Sequence, residues 1–115
     1  MKKYIKCGKL FTAVDDAIYE GMAIVIEGEQ VEEILPWDQI PADAEVIDLS
    51  DKFVTPGLID GHVHITNRPF GDNTIYYATH TQADMTLVAL RQAQANLLAG
   101  FTTLRDAGGN DFIDI

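Results

Sequence analysis

Residues 55–65, Thr55-Pro56-Gly57-Leu58-Ile59-Asp60-Gly61-His62-Val63-His64-Ile65, leave this chain few architectures to choose from. Side chains on a strand alternate faces with a period of two. An extended 58–65 segment therefore turns Asp60, His62 and His64 to one face and Ile59, Val63 and Ile65 to the other. The apolar set suits packing against a helix. The polar set is costly to bury without partners, and two imidazoles along one face are placed to grip a single cation. Such a strand predicts a metal site inside a barrel, not a surface hairpin.

The segments before it read as β structure. Residues 3–14 carry Tyr4, Ile5, Leu10, Phe11 and Val14, broken near Gly8, which predicts one or two short strands before a turn at Asp15-Asp16. Segments 22–27 and 30–35 flank Gly28-Glu29, a two-residue hairpin signal. Pro36 stops the second of these, and 36–45 reads as a loop with Trp37 covering the core. A strand at 46–49 follows, and Ser50-Asp51-Lys52 is expected to turn into Phe53-Val54. Residues 1–54 thus read as a small antiparallel, β-sandwich-like domain.

The segments after it read as α/β. Residues 66–80 form a loop, and Thr81-Gln82-Ala83-Asp84 has capping-box spacing, with Asp in place of the usual Glu. Helix formers then run to Ala99, with Leu87, Leu90 and Leu97 beside Val88 and Leu98 as the apolar stripe. Such a helix of about 18 residues would be ~27 Å long. Gly100 sits where a helix end favours a left-handed residue. Residues 101–105 predict the next strand and 106–110 the turn after it. Strand, helix, strand is a βαβ unit, which builds parallel sheets.

Composition excludes several classes of function. The chain has 115 residues, 47% hydrophobic and 23% charged, so it suits one ordinary domain with a usable core. A net charge of −10 argues against nucleic acid or an anionic membrane as partner. Cys7 is the single cysteine, so no intrachain disulfide forms and a reducing cytoplasm is expected. It reads as a small buried apolar residue, not a nucleophile. Met1-Lys2-Lys3 leads into no signal-peptide stretch, and no 18-residue apolar run exists.

The 55–64 block after a β-rich leader resembles the first barrel strand of the metal-dependent amidohydrolase superfamily. Gly100-Phe101-Thr102-Thr103-Leu104-Arg105-Asp106-Ala107-Gly108-Gly109 resembles the second strand of its imidazolonepropionase and Xaa-Pro dipeptidase-like branch. The likeness covers essentially the whole chain. It implies that 55–115 begin a (β/α)₈ TIM-type barrel, with two strands and one helix of it present here. It also implies a metal-dependent hydrolase of amide, cyclic amide or dipeptide C–N bonds working through a metal-activated water. The metal is one or two divalent ions, zinc first among them. Other ligands implied by the family, a carboxylated lysine or other bridging carboxylate and two further histidines, have no matching position here. Nor has the general-base aspartate, which is expected beyond residue 115.

His62 and His64 are accordingly the expected metal ligands, since neutral imidazole suits zinc and barrel strands offer their C-terminal ends to the active site. Asp60, one pleat deeper, is expected to hold a neighbouring side chain by hydrogen bonds. Asp106 either lines the pocket or serves as the turn residue before Ala-Gly-Gly. His80 reads as a solvated loop histidine, and Arg105 as facing outward into a salt bridge. Tyr76 and Tyr77 either cover the pocket or pack within their loop. The chain reads as the N-terminal piece of a larger enzyme, weak in metal binding and poor in catalysis alone. Its expected partners are a small-molecule substrate and the remainder of the barrel or a complementing chain, with homo-oligomerisation left open. Two other functions fit the same residues: a non-catalytic β assembly module, and a ring deaminase of the same superfamily.

Overall fold

The computed structural model describes residues 2–109, 112 and 113. The chain divides into two compact units, Met1–Pro56 and Gly57–Ile115.

The first unit is one connected five-stranded sheet built on β1 (Lys2–Phe11). Strand β2 (Ile18–Glu20) pairs antiparallel with the end of β1, and β3 (Met22–Glu27) pairs antiparallel with its start. Strand β4 (Gln30–Pro36) continues the sheet beside β3. The turn between them is the two-residue one expected, with Gly28 at φ +62° in the first central position, where a type II′ turn requires it. A short 3₁₀ turn, Trp37–Gln39, follows.

Strand β5 (Glu45–Val54) departs from two expectations. It lies parallel to β1, so this mainly antiparallel sheet contains one parallel pair. It is also a single ten-residue strand with no turn at 50–52; the register instead slips where Cys7 faces Leu49 and Lys9 faces Phe53. Gly8 occupies the slip. A methyl group there would lie 2.8 Å from the Lys52 carbonyl oxygen and closer still to that of Ser50. Gly8 thus allows two backbones to approach without breaking β1, which is why one strand passes through it.

The core of this unit is Ala23, Val25 and Leu35, flanked by Tyr4, Trp37 and Ile40. Fully burying a side chain such as Val25 contributes ~1.5–3 kcal/mol. Trp37 covers the core with its ring nitrogen donating to the Met22 carbonyl at 2.8 Å, while Lys6 lies over the ring. Cys7 is fully buried, and desolvation pushes its thiol pKa up.

In the second unit, β6 (Leu58–Val63) and β7 (Phe101–Asp106) form a parallel pair. The chain between them holds α1 (Asn73–Thr79) and α2 (Gln82–Leu98). Helix α2 starts at the expected capping box: Thr81 Oγ1 accepts from Asp84 N at 3.2 Å, and Thr81 N donates to Asp84 Oδ2 at 3.0 Å. Gly100, at φ +98°, follows its end. Helix α1 replaces part of the loop read at 66–80. Asp72 caps it by accepting from the Thr74 and Ile75 amides, although Thr74, Ile75, Tyr76, Tyr77 and Thr79 are poor helix formers.

The packed face of α2 is not the expected leucine stripe. Met85 and Ala89 are buried, whereas Leu87, Leu90, Leu97 and Leu98 are exposed. Gln92, on the Met85/Ala89 side, donates through its amide to the backbone carbonyls of Ile65 and Asn67. Hydrogen bonding to the β6 exit loop, together with close packing of small residues, selects that face. On β6 itself, Ile59 is exposed and Val63 half-buried, and Ile65, two residues beyond the strand, is half-buried. The expected turn runs on to Asn110, which lies outside the described residues. No helix among the described residues is long and apolar enough to cross a membrane.

Candidate metal site at the ends of two parallel strands

The C-terminal ends of β6 and β7 are joined by hydrogen bonds that converge on His64 and Asp106. Val63 is in register with Asp106, and the Ala107 amide donates to the Val63 carbonyl at 2.9 Å. Asp106, half-buried, uses both carboxylate oxygens: Oδ2 accepts from the Ile65 amide at 2.9 Å and Oδ1 from the Gly108 amide at 2.9 Å. One side chain therefore ties together the loops leaving the two strands.

That tie places the Gly108 carbonyl oxygen 2.8 Å from His64 Nδ1. A carbonyl only accepts, so Nδ1 carries the hydrogen and Nε2 is left with a lone pair when the ring is neutral. Backbone carbonyls commonly fix metal-binding histidines in this way. Asp106 Oδ1 lies 3.9 Å from the same Nδ1, too far to hydrogen-bond it. His64 sits just past the last residue of β6, and His62 lies within the strand. Their rings are 5.3 Å apart, edge to face. The His62 ring has no hydrogen-bond partner among the described residues, so both of its nitrogens are open.

Asp60 is half-buried and does not reach either imidazole; its Oδ1 accepts from the backbone amide of His62 at 3.0 Å. It shapes the backbone on which His62 stands. His80 is exposed at the end of α1, with Nδ1 directed at the Tyr76 carbonyl, 3.1 Å away. Tyr76 is buried, and the Tyr77 hydroxyl donates to Asn67 Oδ1. Arg105 is exposed, as expected, and forms no ion pair among the described residues.

Two contributors escaped the sequence reading. Gly108 acts through its carbonyl oxygen, which residue type does not announce. Gln92 anchors the loop after His64, and a glutamine among the apolar positions of a helix was the available signal. Thr66, next to that loop, is fully buried, and its hydroxyl has no partner among the described residues.

Among the described residues no group of three or more His, Cys, Asp or Glu side chains could hold a metal ion. The donors fit a divalent metal in kind, with two imidazoles side by side and one nitrogen already oriented. In number they fall short of the roughly three protein ligands of a hydrolytic zinc site.

The Amidohydrolase family profile matches residues 53–114, and the chain belongs to that family. Over 65 residues the chain is 38% identical to a dihydroorotase of Geotalea daltonii, covering 56% of this chain and 15% of that protein. Over 56 residues it is 45% identical to an imidazolonepropionase of Acinetobacter baumannii, covering 47% of this chain and 13% of that one. A Xaa-Pro dipeptidase crystallised with methionine in its active site superposes with a TM-score of 0.83 at 29% identity. That match covers 94% of this chain and 27% of the dipeptidase. The chain therefore spans about a quarter or less of the length of these relatives. Proteins of this kind are hydrolases of C–N bonds, and the superfamily generally uses divalent metals.

Proposed function

We propose that His62 and His64 are the first two ligands of a divalent metal, zinc first among candidates, in a hydrolase that cleaves C–N bonds of dipeptides, amides or cyclic amides. The observation that carries this reading is the adjacency of the two rings, with His64 Nδ1 occupied by the Gly108 carbonyl and Nε2 left open. The metal, when bound, supplies Lewis acidity toward the scissile carbonyl and lowers the pKa of a water molecule. The chain's own residues hold and orient: Gly108 fixes the His64 tautomer, Asp106 fixes Gly108, and Asp60 fixes the His62 backbone. The remaining ligands and the general base would come from protein outside these 115 residues, in a continuing or complementing chain.

In this reading 1–54 are a small β domain and 55–115 open a (β/α)₈ barrel, for which the parallel β6–β7 pair with intervening helices is the support. The dipeptidase's superposition over nearly the whole chain favours a dipeptide as the first substrate class to try. A lone buried cysteine suits a reducing compartment, so we place the protein in the cytoplasm.

The test is hydrolysis of a Xaa-Pro dipeptide and of a cyclic amide by the longest polypeptide that carries this chain. Turnover that falls with a chelator and with His62→Ala supports the proposal. Turnover unchanged in His62→Ala overturns it.

A further inference from the structure

A cleft containing neither His62 nor His64 lies between α1 and α2 and has a volume of about 280 Å³. Arg68, Tyr76, His80, Asp84, Leu87 and Arg91 line it. Residues 57–115 contain three arginines and no lysine, against six aspartates and no glutamate. Two of those three cations therefore meet in one cleft of an otherwise acidic unit.

Among the described residues neither guanidinium is committed elsewhere. Arg68 lies over the Tyr76 ring, 5.4 Å from its centre, and among the described residues neither Arg68 nor Arg91 has a carboxylate within ion-pair distance. Asp84, the one acid on the rim, accepts from the Thr81 amide and hydroxyl through Oδ2. Tyr76 is 3% exposed, and its hydroxyl has no partner among the described residues. A buried hydroxyl without a partner costs ~1–3 kcal/mol, and the tyrosine that carries this one lines the cleft. His80 turns Nδ1 toward the Tyr76 carbonyl and has Nε2 to spare.

We propose that this cleft binds a small monocarboxylate, its oxygens held by Arg68, Arg91 and the Tyr76 hydroxyl and its apolar body lying against Leu87. Guanidinium groups recognise carboxylates through paired, charge-assisted hydrogen bonds. The charge count selects a monoanion. Two guanidinium groups against one aspartate carboxylate leave +1, which one carboxylate balances and a phosphate dianion exceeds. The site stands independently of the metal reading, because it shares no side chain with the histidine pair.

Benzoate titrated into the ¹⁵N-labelled chain, with inorganic phosphate and chloride titrated in parallel, tests the proposal. Saturable shifts of the Arg68 and Arg91 side-chain Nε–H resonances are expected with benzoate. Arg91→Gln should weaken binding about tenfold; Arg91 is exposed, so its replacement leaves the fold intact. Tyr76→Phe, which keeps the ring and removes the unpaired hydroxyl, should also weaken it several-fold. Phosphate binding tighter than benzoate, chloride reproducing the shifts, or unchanged affinity in both variants would each overturn the proposal. Zinc binding through His62 and His64 is read separately, so loss of one result leaves the other standing.

Discussion

His64 and Gly108, 44 positions apart in sequence, meet through a 2.8 Å hydrogen bond from Nδ1 to the main-chain carbonyl. A side chain from the end of one parallel strand is thereby oriented by the backbone that leaves the next. The bond predicts that the neutral His64 ring is the Nδ1–H tautomer. Long-range ¹H–¹⁵N correlation of the imidazole should show a protonated Nδ1. An Nε2–H pattern would mean that the lone pair faces the carbonyl and the orientation is wrong.

Asp106 holds that arrangement by accepting from two amides in a half-buried setting. Asp106→Ala leaves the Ile65 and Gly108 amides without their partner and should destabilise the chain by ~2–3 kcal/mol. Asp106→Asn keeps one acceptor and turns a donor on the other amide, so it should rescue only partly. Urea denaturation measures both, and a wild-type midpoint for Asp106→Ala would contradict the bridging role.

Gly57 sits where an added methyl would come within 2.6 Å of Thr102 Cβ, whereas a methyl at Gly61 meets nothing within 4 Å. Gly57→Ala should therefore cost ~1–3 kcal/mol through overpacking. Gly61→Ala should be neutral or stabilise by up to ~1 kcal/mol. Thr102→Ala in the Gly57→Ala background should recover part of the loss, because the overlap is with the threonine side chain.

Hydrogen bonds from Thr81 hold the Asp84 carboxyl below its ordinary pKa of 3.8. A depressed folded-state pKa contributes stability that is fully present above about 3.8 and is lost as pH falls through the lower folded value. Thr81→Ala should destabilise α2 by ~1 kcal/mol near neutral pH. Asp84→Asn should flatten the loss of stability between pH 4 and lower pH, as read by denaturation at a series of pH values. An acid response identical to wild type would show that the box carries no linkage.

Local chemistry made much of this fold legible. The capping box at Thr81, the Gly28 turn and the Gly100 helix end each follow from one or two residues whose backbone preferences are strong. The period-two pattern brings His62 and His64 to neighbouring positions, where their rings contact. Features decided between distant segments were not legible. The parallel direction of β5 depends on how 45–54 meets β1, and the buried face of α2 depends on Gln92 reaching the Ile65 and Asn67 carbonyls. Leucines dominate a hydropathy pattern, yet Met85 and Ala89 form the contact. The Gly108 carbonyl was invisible for a similar reason, since every residue has one and only the fold aims it.

Zinc titration by calorimetry, on the wild-type chain and on His62→Ala, His64→Ala and His80→Ala variants, bears most directly on the histidine pair. One zinc per chain is expected, weak because only two imidazoles contribute, abolished by either of the first two substitutions and retained in His80→Ala. Binding that survives the loss of both His62 and His64, or that disappears with His80, would contradict the assignment.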